Sequence, residues 1–177
     1  MSRLGQAAPM KAIRYALTAA SLSVATHPAI ASSAASCPLA NIDSQRELHV
    51  FLSMQAVKIV ELAGGGDQER LAALVNSSAS FSLGAGDVGR PLGTGVQGAK
   101  MLATEMSADA YRYLGWDYMD APAKPCSSQK VTVEFVDNRN KALSQVEFTF
   151  DGGRLTNASG WSRSYESGAL NTAQAGH

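Results

Sequence analysis

Residues 145–155 have the sequence QVEFTFDGGRL, and this short stretch decides the class of fold. Apolar and polar side chains alternate along its first half, as in a strand with one buried face; the apolar ones are Val146, Phe148 and Phe150. The Asp-Gly-Gly at 151–153 is typical of a tight hairpin turn, and a second strand-like run begins at Leu155. The pattern predicts two adjacent antiparallel strands that cover a core on one side.

Further strands are predicted on either side of this hairpin. Residues 130–135 show the same alternation, and residues 78–83 show it nearer the N-terminus. In residues 111–118, aromatic side chains occur at both odd-numbered and even-numbered positions, so they would point to both faces of a strand. We therefore expect this strand to be covered on both faces. The last strand, 155–165, is expected to carry a bulge near Gly160, because its apolar residues change parity there.

Three helices are predicted ahead of most of these strands, with starts capped by Ser44, Asp67 and Thr94. Behind the Ser44–Glu47 capping box, apolar residues recur at three- and four-residue steps over roughly five turns. The predicted buried face of this helix consists of Leu48, Phe51, Leu52, Ile59, Val60 and Ala63. The glycines at 64–66 end it. The glycine-dense stretch 84–98 is expected to be largely a flexible loop before the third helix.

Helices followed by strands predict an α+β fold with an antiparallel sheet. The chain has 177 residues, of which 45% are hydrophobic, and this suffices for one domain with a core. Its formal net charge is zero, whereas proteins that bind nucleic acid through phosphates need a basic surface. We therefore expect no nucleic-acid partner.

Residues 1–31 have the order of a secretory signal peptide. Lys11 and Arg14 precede a soft apolar run at 15–25, and the small residues Ala29 and Ala31 offer a cleavage site. The run is too short to span a bilayer, and no later segment is apolar enough to do so. The pattern predicts export to a periplasmic or extracellular space. Translation could start at Met1 or at Met10.

Two cysteines, Cys37 and Cys126, would remain after cleavage. Exported proteins meet oxidising conditions, so we expect a Cys37–Cys126 disulfide. The alternative is lipidation of Cys37, because the preceding Ala34-Ala35-Ser36 loosely resembles a lipoprotein cleavage box. No His and Cys cluster has the spacing of metal ligands, so no metal site is expected.

The order of elements resembles the nuclear transport factor 2-like superfamily, which includes SnoaL-like cyclases and ketosteroid isomerases. The residues that carry the resemblance are the helix-to-strand passage at 71–81 and the hairpin from Phe148 to Leu155 with Gly160-Trp161. It implies a cystatin-like cone, in which a curved antiparallel sheet wraps around the long first helix and leaves a cavity. It covers a domain at 43–167, after an N-terminal segment at 32–42 and before a flexible tail at 168–177. Members use the cavity for catalysis, ligand binding or dimer contacts.

The acid–base residues of the isomerases are not matched here. In those enzymes an Asp follows the first strand and a Tyr lies on the first helix, but residues 81–84 are Phe-Ser-Leu-Gly and the long helix has no Tyr. Asp87 and His49 are the remaining catalytic candidates, and a general base at Asp87 would need burial. An isomerase, dehydratase or cyclase with a non-standard residue set is therefore the alternative, and a non-catalytic protein the first hypothesis.

An aromatic set offers a site for that non-catalytic role. Every second side chain of each strand is expected to face the inside of the cone. A flat or apolar ligand in the cavity would then contact Tyr111, Tyr113, Trp116, Tyr118 and Trp161. The same residues could instead form core or a homodimer face. Arginines on these strands are expected to pair with Glu134 and Glu147; they are Arg112, Arg154 and Arg163.

Gly84, Gly86 and Gly89 match the letters of a dinucleotide-binding fingerprint. In that motif the glycines open a helix whose first turn meets the pyrophosphate. Arg90-Pro91 follows here instead, and proline blocks a helix at that point. We expect no nucleotide and no other cofactor.

Overall fold

The computed structural model describes residues 38–85, 88–115 and 122–165. The predicted signal peptide, most of the 32–42 segment and the 168–177 tail lie outside these residues, so the predicted domain boundaries stay predictions. In chain order the elements are α1 (Gln45–Gly65), α2 (Gln68–Leu74), β1 (Val75–Ala85), β2 (Val88–Thr94), α3 (Gly95–Met106), β3 (Ala110–Leu114), β4 (Gln129–Asp137), β5 (Ala142–Asp151) and β6 (Arg154–Ser164).

The helices begin and end close to where the sequence predicts. The Ser44 side chain accepts a hydrogen bond from the Glu47 backbone N–H, and the left-handed Gly66 (φ 80°) ends α1. Asp67 caps α2 by accepting from the Arg70 N–H. Thr94 precedes α3 as expected, but its hydroxyl makes no capping hydrogen bond. No helix in the described part of the chain is long and apolar enough to cross a membrane.

The six strands form one sheet in the order β2-β1-β6-β5-β4-β3. Four of the five neighbouring pairs are antiparallel, but β1 and β6 run parallel. The predicted α+β class with a long first helix and a largely antiparallel sheet is confirmed, and the fully antiparallel sheet is corrected to a mixed one. A hairpin signal specifies only strands that are adjacent in sequence, whereas β1 and β6 come from opposite ends of the domain.

The predicted glycine-rich loop contains a strand that the sequence analysis missed. β1 and β2 pair as an antiparallel hairpin in which Gly84 lies opposite Gly89. β2 is an edge strand, which is where a residue such as Pro91 without an N–H is tolerated. Gly84 and Gly89 therefore belong to a hairpin and not to a helix start.

The bulge predicted near Gly160 lies elsewhere. The β5–β6 register shifts between Thr149 and Phe150, opposite the segment from Leu155 to Asn157. Gly160 lies instead in a regular pair, so close to β5 that an added Cβ would meet the Gln145 carbonyl oxygen at 2.5 Å.

The core lies on one face of the sheet, here called the inner face, which α1 and α3 cover. Its largest fully buried side chains come from both layers, and they include Phe81, Phe148, Phe150, Leu48, Leu52, Ile59 and Leu102. Phe135 and Phe148 meet edge to face, with ring centroids 6.0 Å apart. The opposite, outer face carries alternate residues such as Glu134, Gln145 and Trp161, which lie in one row across three strands.

Candidate functional site

A groove runs between α1 and β3 on the inner side of the sheet, with a volume of about 410 Å³. This α1–β3 groove is lined on one side by the helix and on the other by two tyrosines; its main lining residues are Phe51, Met54, Val57, Glu61, Tyr111 and Tyr113. Its size is in the range of small-molecule sites in proteins.

The groove exists because β3 is short and lies at the edge of the sheet. β3 has five residues and pairs only with β4 among the described strands. α1 packs over β4 and against α3, so the inner side of β3 is left partly uncovered. A second cavity, of about 330 Å³, lies toward the end of α1 and shares Val57, Glu61 and Tyr111 with the first. The two cavities therefore meet along the same helix.

Most of the exposed large apolar side chains of the described residues line the α1–β3 groove. Among the described residues these are Phe51 (41% exposed), Met54 (58%), Met101 (43%), Tyr111 (48%) and Trp161 (49%), and three of the five line this groove. The prediction that Phe51 lies on the buried face of α1 is wrong, and no sequence pattern marked Met54 as a site residue. A contiguous exposed apolar patch of this kind commonly marks a binding surface.

Tyr111 and Tyr113 form a tilted ring pair with centroids 5.5 Å apart. Burial raises the pKa of Tyr113 to about 12, and a hydrogen bond with Tyr111 and the negative charge of Glu61 act in the same direction. Tyr113 therefore keeps its proton at neutral pH. On the rim, Lys58 and Glu61 form an exposed ion pair with an N–O distance of 3.5 Å. The groove thus combines apolar walls with a few polar groups, as small-molecule sites do.

The structure brings together only part of the predicted aromatic set. Tyr111 and Tyr113 share the α1–β3 groove, as the predicted ligand site requires. Trp161 pairs with Gln145 and lies on the outer face, so it belongs to a different surface. Trp116 and Tyr118 lie outside the described residues.

Of the two catalytic candidates, Asp87 and His49, the described part of the structure contains only His49. His49 lies half-buried on α1, where burial lowers its pKa and favours the neutral imidazole. His49 lines neither cavity beside α1. The described residues contain no group of three or more His, Cys, Asp or Glu side chains that could hold a metal ion.

The predicted arginine pairs are confirmed in two cases of three. Arg112 forms an ion pair with the buried Glu134, and the Arg163 Nη2 lies 4.0 Å from the same carboxylate. Arg154 instead donates to the carbonyl oxygens of Ala72 and Val75, so it ties the start of β6 to the α2–β1 junction. Glu147 pairs with a lysine that the sequence analysis did not consider for this role, Lys130.

Cys126 is not a free thiol. Its predicted partner, Cys37, lies outside the described residues. The Cys37–Cys126 pairing therefore stays a prediction.

Solved structures similar to this chain include cystatin-like and nuclear transport factor 2-like proteins. A cystatin-like fold protein from Burkholderia xenovorans matches with 11% identity and a TM-score of 0.44, over 69% of this chain and 96% of that one. A nuclear transport factor 2-like protein of unknown function from the same organism matches with 10% identity and a TM-score of 0.41, over 73% and 98%. A steroid delta-isomerase from Pseudomonas aeruginosa matches with 14% identity and a TM-score of 0.39, over 70% and 85%.

No family model and no curated protein matches this sequence. The structural similarities are too distant to assign an activity to the chain.

Proposed function

We propose that the protein is a non-catalytic binder of a small, flat, largely apolar molecule, and that the α1–β3 groove is the binding site. The observation that carries this proposal is the position of Phe51, Met54 and Tyr111. All three are exposed and line one groove of about 410 Å³ between the helix and the sheet edge. Leaving them in water is unfavourable, and a bound apolar molecule would cover them.

The tyrosine pair limits which ligands fit best. Tyr111 and Tyr113 present ring faces and edges to a flat molecule, which favours planar ligands over branched ones. The charged groups at the groove, Lys58 and Glu61, neutralise one another, so the site favours an uncharged ligand.

The experiment is a fluorescence titration of the protein with the neutral apolar probe N-phenyl-1-naphthylamine. We expect saturable binding at one site, and a loss of affinity of about tenfold when Tyr111 is replaced by alanine. Phe51→Ala should give a similar loss. Both side chains are partly exposed, so both variants should fold.

Met101→Ala is the matched control, because Met101 is an equally exposed apolar side chain on α3 that lines neither cavity beside α1. If this variant loses as much affinity as Tyr111→Ala, or if no variant weakens binding, the groove is not the site. If Phe51→Ala instead changes the mass of the folded protein in solution, the groove is a contact between two copies of the chain.

The proposal includes export of the mature chain. The supporting observations are the signal-like residues 1–31 and a described cysteine, Cys126, that is not a free thiol. Expression of the full chain in a bacterial host, followed by cell fractionation and N-terminal sequencing, tests this. A mature N-terminus at Ser32 in the periplasmic fraction is the expected result, whereas uncleaved protein in the cytoplasm contradicts it.

A further inference from the structure

A second groove lies on the outer face of the sheet, across β4, β5 and β6, with a volume of about 420 Å³. This outer-face groove is lined by residues that differ from those of the α1–β3 groove, including Thr132, Glu134, Gln145, Glu147, Trp161 and Arg163. We propose that it binds a neutral saccharide unit stacked on the Trp161 ring.

The first support is the isolated position of one aromatic ring on a polar surface. Trp161 is half-exposed, and no other exposed large hydrophobic residue described by the structure lines this groove. It lies in one row with Gln145 and Glu134, while Glu147 and Ser159 pair in the next row. A sugar ring has a C–H face that can pack on a flat indole and hydroxyls around its edge, so one ring beside several polar groups matches it. An interface between two protein copies or an apolar ligand would need a wider apolar surface.

The second support is the balance of charge in the groove. Glu134 is 3% exposed and pairs with Arg112, and Arg163 also lies near it. Glu147 pairs with Lys130 at an N–O distance of 2.8 Å. Each carboxylate already has a cationic partner. A charged ligand, whether anionic or cationic, would therefore find no unpaired opposite charge in this groove. The site therefore favours a neutral molecule.

The third support is the remaining hydrogen-bonding capacity of the lining residues. A carboxylate has about four lone-pair positions, and an ion pair leaves some of them open. Gln145 adds a donor and an acceptor on an amide, and Thr132 adds a hydroxyl. These groups project from adjacent strands about 4.8 Å apart, so several can contact the hydroxyls of one ring at once.

The test uses the full mature chain carrying Trp116→Phe, which leaves Trp161 as the sole tryptophan. Maltose, cellobiose and N,N′-diacetylchitobiose are the neutral probes, glucuronate is the charged probe, and both tryptophan emission and ligand-observed NMR are recorded. We expect at least one neutral disaccharide to bind with millimolar affinity. Trp161→Ala should weaken that binding about tenfold, and Trp161→Phe should weaken it less.

Phe51→Ala, in the other groove, is the control and should leave saccharide binding unchanged. The proposal is overturned if none of the neutral probes gives a signal that Trp161→Ala removes. It is also overturned if glucuronate binds more tightly than the neutral sugars. A change from dimer to monomer on Trp161→Ala would show that this face binds a second copy and would equally overturn it. None of these outcomes bears on the α1–β3 groove, so the two proposals can fail separately.

Discussion

Gly98 of α3 lies directly against the ring of Phe81 on β1. A Cβ added at residue 98 would meet Phe81 Cδ2 at 2.5 Å and the Gly93 carbonyl oxygen at 2.7 Å. The absence of a side chain at this one position therefore sets how closely the third helix approaches the sheet.

Gly98→Ala should destabilise the protein by about 1–3 kcal/mol, because the added methyl forces either the Phe81 ring or the β2–α3 backbone to move. Urea unfolding at neutral pH measures the change. Gly64→Ala is the matched control: a Cβ there meets nothing within 4 Å. Alanine at that helical position should leave stability unchanged or raise it by up to about 1 kcal/mol. Equal effects of the two substitutions would contradict the close contact.

The alkaline titration of the tyrosines should separate Tyr113 from the others. Its pKa is raised to about 12, mainly by burial, so in the folded protein it should ionise well above the ordinary tyrosine value of about 10. The unfolded chain ionises near the ordinary value of about 10, so stability is fully present below that pH and falls as the pH rises toward 12.

Ultraviolet titration of tyrosinate formation measures this ionisation. Tyr113→Phe should remove the ionisation step near pH 12 and reduce the loss of stability at alkaline pH. Tyr111→Phe serves as the comparison, since its partner should then ionise earlier for lack of the hydrogen bond. An unchanged late step in Tyr113→Phe would show that another tyrosine carries the raised pKa.

The turn between β4 and β5 should give the protein part of its acid sensitivity. The Asp137 carboxylate accepts hydrogen bonds from the backbone N–H groups of Asn140 and Arg139, both at 3.0 Å, and from the Asn140 side chain at 2.6 Å. The Asn140 bonds, followed by those of Arg139, lower the pKa of Asp137 despite the opposing effect of desolvation. Because the folded pKa is depressed, this contribution is present above the ordinary carboxyl pKa and is lost as the pH falls through the folded value.

Asp137→Asn should therefore be less stable than the native protein at neutral pH. The difference in the free energy of unfolding between the two proteins should become smaller in acid. Urea midpoints measured across the acid range test this. A gap of constant size at every pH would mean that the ionised carboxylate is not responsible.

The predicted Cys37–Cys126 bond would close a loop of about 90 residues, for which the chain-entropy estimate is about 4 kcal/mol. Reduction should lower the free energy of unfolding by an amount of that order, and Cys126→Ser should match the reduced protein. Thiol titration of the oxidised, unfolded chain should find no reactive thiol. Two reactive thiols would contradict the pairing.

Most of the fold could be predicted because apolar residues recur at regular spacings along most helices and strands. The elements that were missed lack such a pattern. α1 has a capping residue, a buried stripe and a terminal glycine, and these signals are local. β2 has no alternation, because Gly89, Pro91 and Gly93 interrupt it, and it becomes a strand only by pairing with β1. The parallel β1–β6 contact joins residues about 80 positions apart, such as Phe81 and Ala158, and no local pattern specifies such a pair.

The candidate sites were predicted less completely than the fold. Tyr111 and Tyr113 both line the α1–β3 groove, because residues two positions apart in a strand point to the same face. This relation can be read from the local sequence alone. Trp161 lies on the outer face because the register shifts between Leu155 and Asn157. After this shift, each side chain of β6 points to the face opposite to the one that simple alternation from Leu155 predicts. The exposure of Phe51 follows from the short edge strand beside α1, and the sequence of the helix does not contain that information.

The place of β6 within the sheet has a consequence for how the chain folds during synthesis. β6 lies between β1 and β5, so the hairpin of β1 and β2 and the three-stranded unit of β3 to β5 stay separate until the last strand is made. A ribosome must therefore release nearly the whole domain before its interior can close. Truncation before Arg154 should leave one chain whose two partial sheets are not joined, so that it exposes apolar surface and binds chaperones instead of folding.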